Sequence, residues 1–193
     1  MPEGKPPIGV YVLEVGALVM TVTASSGNRH ALAILGPGDI FGDPVVAGLA
    51  QNGGSPDGYR RLLPEARAII SSRVLAVPAQ GFEHAVRINE DVAVQLAASL
   101  VRRIDELHLS LARSLSLPLA ERTLDLLNAL AWRWGRPSGG GTAIGLPLTQ
   151  DALASMLGAT RESVNRAVRD LERAGAISRC GRFYSVEDTP GSS

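Results

Sequence analysis

Apolar and polar positions change rhythm twice along the chain. Over residues 8–48 they follow strand-like runs. "GVYVLEVGALVMTVTA" is rich in Val, with Gly16 as a break, "SSGNRH" is a turn cluster, and "HALAILGPGDIFGD" is a second run closed by Gly36-Pro37-Gly38-Asp39. Short strands punctuated by Gly turns predict an antiparallel roll or barrel. "QNGGSPDGYRRLLPE", residues 51–65, reads as a loop, and "RAIISSRVLAVP", residues 67–78, returns to strand character.

From Asn89 to Leu115 the period becomes helical. Ala97, Leu100, Ile104, Leu107 and Leu111 recur at gaps of 3, 4, 3 and 4, an a/d seam of the kind that meets a partner helix. This predicts a homodimer. The alternative is that the seam packs on the roll of its own chain. Leu117-Pro118 marks a break. "LAERTLDLLNALAWRWG" is a second amphipathic helix, with Leu119, Thr123, Leu126, Leu127 and Leu130 near one face. "RPSGGGTAIGLP" reads as a flexible loop with one strand at most.

Two short helices follow over 149–175, then a small hairpin around Gly181. Thr149 is a good N-cap, and Asp151 sits in the first turn where a negative charge complements the helix dipole. Leu153, Met156 and Leu157 give this helix its buried side, and Gly158 ends it in a left-handed turn. Thr160 caps the next helix. There Val164, Val168 and Leu171 face inward, leaving Arg161, Glu162, Asn165, Arg166 and Arg169 outside. Helix, short turn, helix is the layout in which the second helix enters the major groove. Arg can donate twice to guanine, Glu can accept from cytosine N4, and Asn can pair with adenine. Thr149, Gln150, Arg169 and Arg179 are placed for phosphates, which position rather than specify. By spacing alone, Glu162 and Arg166 fit a plain i,i+4 helix ion pair equally well.

Charge sharpens this locally. The 193-residue chain has 19 basic and 19 acidic residues and no net charge. The window from Gly158 to Arg182, however, holds six arginines against Glu162, Asp170 and Glu172, a local excess of +3. Nonspecific DNA packaging needs a strongly basic surface overall, so it ranks below sequence-specific binding. With 45% hydrophobic residues the chain can build a core. No apolar run approaches the roughly 18 residues of a membrane span, and "MPEGKPPIGVYV" lacks a secretory pattern. A cytoplasmic protein without membrane contact is expected.

Candidate chemistry is sparse. One cysteine, Cys180, excludes a disulfide framework and an iron–sulfur site. It lies between Arg179 and Arg182, where a thiol switch is conceivable. His30, His84 and His108 are scattered, a pattern of surface or packing residues rather than of haem or metal ligands. No His pair, no Ser/His/Asp set and no phosphate loop is present; "SGGGTAIG" lacks the P-loop Lys. Neither an enzyme nor a resident cofactor or metal is expected.

"LTQDALASMLGATRESVNRAVRDLERAGAI" closely resembles the winged helix-turn-helix signature of the cyclic-AMP receptor/fumarate-nitrate regulator (CRP/FNR) family. Upstream, "VYVLEVGALVMTVTASSGNRHALAILGPGDIFGD" resembles the family's regulatory β-roll, and "NEDVAVQLAASLVRRIDEL" its dimerisation helix. The resemblance implies an α+β fold in three parts: a β-roll over 1–88, a dimerisation helix over 89–115, and a winged helix-turn-helix over 116–193. It implies a dimer that regulates transcription by reading palindromic double-stranded DNA through the helix Thr160–Ala174. The base-reading positions fall on Arg161, Glu162 and Arg166, with the variable position on Asn165. Members with this set favour half-sites resembling TGTGA or TTGA; Asn165 leaves the exact sequence open. In activators of the family a surface loop touches the RNA polymerase α subunit, and that place falls on Arg136 to Ala143.

Three departures concern the sensor. The roll begins close to Met1, so it is expected to be shortened at its front. The family's Phe-Gly-Glu and Arg-Ser/Thr-Ala segments, which hold ribose and cyclic phosphate, appear as Phe41-Gly42-Asp43-Pro44 and Glu65-Ala66-Arg67-Ala68. Asp43 is one methylene short, and Pro44 has no N–H to offer. The family's adenine-contacting Thr-Ser pair appears as Leu107-His108. Gly42, Asp43, Arg67 and His108 are therefore the effector-binding positions, and control by cyclic AMP is not expected of them. Control by another small effector, by a cyclic nucleotide after all, or by expression level alone remain the alternatives.

Overall fold

The structure is a computed structural model and describes residues 9–24, 27, 29–42 and 64–187. Six strands come first: β1 (Gly9–Val15), β2 (Leu18–Thr23), β3 (Arg29–Leu35), β4 (Ile40–Gly42), β5 (Glu65–Ala68) and β6 (Arg73–Pro78). They are followed by α1 (Ala79–Ile88), α2 (Glu90–Ser116) and α3 (Leu119–Trp134). The chain then runs through β7 (Gly135–Ser138), β8 (Gly141–Ile144), α4 (Gln150–Leu157), α5 (Arg161–Arg173), β9 (Ile177–Cys180) and β10 (Phe183–Glu187). The strands form three sheets, ordered β4-β1-β6, β3-β2-β5 and β7-β8-β10-β9. The fold is thus α+β, with a β-rich front, a long helix and a helix-turn-helix joined to a small sheet.

The chain divides into two compact units, residues 1–20 with 34–108, and residues 21–33 with 109–193. In the first, β1 pairs antiparallel with both β4 and β6. Gly16 breaks the strand run as expected, with φ +104°. Phe82 of α1 packs on Val10 of β1, with Ile40, Val77, Val86 and Leu96 around them.

The strand character expected over residues 67–78 is divided between two strands on different sheets. The divider is Ser72, whose hydroxyl donates to Ile70 O and accepts from Ala17 N, 2.7 and 3.2 Å. The stretch 79–88, expected within the strand-built roll, is a helix. Its one buried residue is Phe82, with Ala85 and Val86 partly buried on the same side. Asp43 and the expected loop as far as residue 63 lie outside the described residues.

α2 runs for 27 residues without one buried side chain. Leu100, Ile104, Leu107 and Leu111 are 52, 50, 51 and 59% exposed, and Ala97 is exposed with them. At 1.5 Å per residue the helix is about 40 Å long.

In the second unit α3 buries Thr123, Leu127, Leu130 and Ala131. Ile144, Leu146, Leu148, Leu153, Val164, Val168, Ile177 and Tyr184 complete this core. The expected flexible loop after α3 is instead the hairpin β7–β8, paired antiparallel from Gly135↔Ile144 to Ser138↔Gly141. Gly139 and Gly140, at φ +55° and +108°, supply the two left-handed residues that a tight hairpin turn demands. A glycine-rich stretch that looks like a linker is here turn chemistry.

Candidate nucleic-acid interface

α4 and α5 are built by the signals the sequence carries. Thr149 Oγ1 accepts from Ala152 N at 3.1 Å, and Thr160 Oγ1 accepts from Ser163 N at 3.2 Å, so both helices have a side-chain N-cap. Between them Gly158 takes φ +60°, ψ +36°. An added Cβ would meet nothing there within 4 Å, so the demand on Gly158 is purely conformational. Arg122 of α3 donates to the Leu157 carbonyl at the end of α4, satisfying an acceptor the helix end leaves open.

α5 has two distinct sides. Val164, Ala167, Val168 and Leu171 are buried. Opposite them Glu162, Arg166 and Arg169 are exposed, within roughly 60° of one another around the helix. Among the described residues none of these three makes an ion pair or a side-chain hydrogen bond. The i,i+4 pair that spacing alone allowed is therefore not formed. Glu162 and Arg166 point outward, each with its hydrogen-bonding groups available.

The flank of α5 nearest α4 is different. Arg161 Nε lies 3.7 Å from Asp151 Oδ1, an exposed contact of little energetic weight. Asn165 is half-buried, and its Oδ1 accepts from Gln150 Nε2 at 3.1 Å. Of the expected phosphate contacts, Thr149 serves first as a cap and Gln150 is turned to Asn165. Arg179 is tied inward: its Nε is 3.3 Å from Glu172 Oε1, and it stands opposite Tyr184 across the β9–β10 pair. Burial raises the Tyr184 pKa above 10.0, with Arg179 pulling it down and Glu172 pushing it up.

β9 and β10 form the expected hairpin, from Ile177↔Val186 to Cys180↔Phe183. Its turn is fastened to the start of α4, because Leu148 N donates to Arg182 O at 2.7 Å. The Arg182 side chain is exposed and, among the described residues, makes no ion pair or side-chain hydrogen bond. Arg179, the hairpin residue expected at a phosphate, is paired with Glu172 and stands opposite Tyr184 across the hairpin. Cys180 is an exposed free thiol.

The positions expected to bind an effector are less concentrated. Gly42 ends β4, and Arg67 lies exposed on β5 in another sheet. His108 is exposed on α2. A groove of about 260 Å³ in the first unit is lined by Gly38, Ile40, Phe82, Leu96 and Arg102 among others, but by none of these three. Among the described residues no three His, Cys, Asp or Glu side chains converge as a metal site, and no helix is long and apolar enough to cross a membrane.

Comparison with known proteins agrees with this architecture. Residues 1–89 match the cyclic nucleotide-binding domain family, and residues 119–191 match the Crp-like helix-turn-helix domain family. A CRP-like cAMP-activated global transcriptional regulator of Mycobacterium tuberculosis is 27% identical over 187 residues, 97% of this chain and 79% of that protein. A global nitrogen regulator of Synechocystis is 26% identical over 185 residues, covering 96% of this chain and 79% of its own. The solved structure of FixK2 from Bradyrhizobium japonicum superposes with a TM-score of 0.74 at 26% identity, covering 96% of this chain and 86% of that one. With both domain families matched in order, the chain belongs to the CRP/FNR family of DNA-binding transcription regulators.

Proposed function

We propose that the protein is a homodimeric, sequence-specific regulator that reads a palindromic site through α5, without control by cyclic AMP. The observation that carries the reading is the pair Glu162 and Arg166, exposed side by side and engaged with nothing among the described residues. Arg166 donates to guanine O6 and N7, Glu162 accepts from cytosine N4, and Arg161 completes the set. Thr149, Thr160, Gln150, Arg169 and Arg182 lie toward the phosphates, while Arg179 holds the β9–β10 hairpin in shape. Two copies joined along the α2 seam carry two reading helices, for half-sites about 34 Å apart. Selection of bound DNA from a random pool tests this: a two-fold symmetric site is expected, and an asymmetric optimum overturns the dimeric reading.

The cyclic AMP part rests on chemistry. Asp43 is short where a ribose needs a longer carboxylate, and Leu107 offers no hydrogen bond to a base. One observation favours a second reading, control by a cyclic nucleotide: the M. tuberculosis relative is named as cAMP-activated. The same selection run with and without cyclic AMP separates them, because unchanged affinity supports the first and a gain the second.

Contact with the RNA polymerase α subunit through Arg136 to Ala143 belongs to the same proposal. The supporting feature is a surface hairpin of fixed shape, with Arg136, Pro137 and Ser138 exposed. Substitution at Arg136 is expected to abolish activation and spare DNA binding; unchanged transcription removes the contact.

A further inference from the structure

The bond between Gln150 and Asn165 bears on which base α5 can accept, an inference that rests on α5 being the reading helix. Asparagine offers an acceptor oxygen at one end of its amide and a two-proton donor at the other. Its pairing with adenine uses both ends at once, the oxygen accepting from N6 and the NH2 donating to N7. Here the oxygen end is already engaged, at 3.1 Å from Gln150 Nε2. Oδ1 keeps a second lone pair, but the engagement turns the oxygen toward α4. The NH2 end makes no hydrogen bond among the described residues.

Gln150 is well held for this task. It is the first residue of α4, directly after the Thr149 cap. The two helices are fixed to each other by Leu153, Ala154 and Leu157 on one and Val164, Ala167 and Val168 on the other, all buried. The Arg161–Asp151 contact lies on the same flank.

We propose that Gln150 is a specificity-determining positioning residue. It fixes the Asn165 amide with its NH2 group toward DNA, so that Asn165 reads as a donor only. The base it faces is then guanine or thymine, whose O6, N7 and O4 accept, and not cytosine, whose N4 donates. Adenine retains one contact, at N7, and loses the paired one.

Selection of bound DNA by the full chain tests this, comparing wild type with Gln150→Glu, Gln150→Met, Asn165→Ala and Arg166→Ala. A glutamate at 150 only accepts, so Asn165 must turn its NH2 group onto it and present Oδ1 outward. The preference at one position per half-site is then expected to swing from guanine or thymine to cytosine or adenine, whose N4 and N6 donate, by about tenfold. Added negative charge at 150 weakens all sequences alike, so relative preference is the readout. Gln150→Met keeps the length without the hydrogen bond and is expected to flatten that position. In the Asn165→Ala background, Gln150→Glu should no longer change it. An unchanged preference in Gln150→Glu, with Arg166→Ala still relaxing its own position, overturns the role of Gln150. If Arg166→Ala also leaves every position unchanged, the reading of α5 itself has failed.

Discussion

Ile104 sits at the middle of the exposed apolar row of α2, and replacing it with glutamate should separate the protomers of the proposed dimer. The magnitude follows from exposure. Leu100, Ile104, Leu107 and Leu111 each leave about half of their side-chain surface in solvent. Full burial of such a side chain is worth about 1.5–3 kcal/mol, so each has about 1 kcal/mol still to gain. A two-fold pair of helices uses every seam residue twice, which gives roughly 8 kcal/mol before the cost of association is met. Ile104→Glu removes two of these contributions and sets two carboxylates against each other in an apolar strip. A loss of at least about 4 kcal/mol follows, or about a thousandfold in the dimer Kd.

The folded chain should barely notice. Ile104 is half exposed on a helix with no buried side chain, and glutamate is a good helix former. Sedimentation velocity over a dilution series, with circular dichroism as the folding control, reads both effects. Affinity for a full palindrome should fall toward that for a single half-site. Leu109→Glu is the matched control: Leu109 is 55% exposed but lies roughly 140° around the helix from Ile104, so its dimer should persist. A variant Ile104→Glu that stays dimeric at low micromolar concentration would refute the reasoning.

Arg166→Ala should weaken binding by about 1–3 kcal/mol and relax specificity at one base pair; competition against single-base variants of the site checks it, and uniform weakening would make Arg166 a phosphate contact. Thr160→Ala removes the cap of α5 and should cost about 1 kcal/mol of stability, read as a lower denaturant midpoint, with Thr160→Ser restoring most of it. Gly158→Ala forces a Cβ into a left-handed turn and should cost about 1–2 kcal/mol, without any steric term, since the space around it is open. Tyr184 gives a pH signature. Its folded pKa lies above 10.0, so the folded chain holds the proton more tightly. The associated stability is present below that pH and lost as pH rises through the folded value. Denaturation midpoints should fall above about pH 10 in wild type, and Tyr184→Phe should flatten that fall.

The reading helix was legible because each of its parts is local. Thr149, Gly158 and Thr160 act within three or four residues of themselves, and the period of Val164, Val168 and Leu171 needs no knowledge of what covers it. The long helix α2 with its apolar row was legible for the same reason. The helix at 79–88 was not, since it is short, has no side-chain N-cap after Pro78 and carries no acidic residue in its first turn to mark its start. The β7–β8 hairpin was hidden by Gly139 and Gly140, which as letters are the same in a linker and in a turn. At the interface, the binding of Gln150 to Asn165 and of Arg179 to Glu172 joins residues that no spacing rule links. Those two contacts decide which side chains are left available, and only the folded chain shows them.

The hairpin after α3 also has a mechanical side. β7 pairs with β8, β8 with β10 and β10 with β9, so Arg136 and Arg179 stand at opposite borders of one hydrogen-bonded board. Anything that grips the β7 border loads the β9–β10 border through the rungs between them. A protein seated on Arg136 would therefore be felt by the amides of Ser178 to Cys180 as slower hydrogen exchange, with no motion of α5 required.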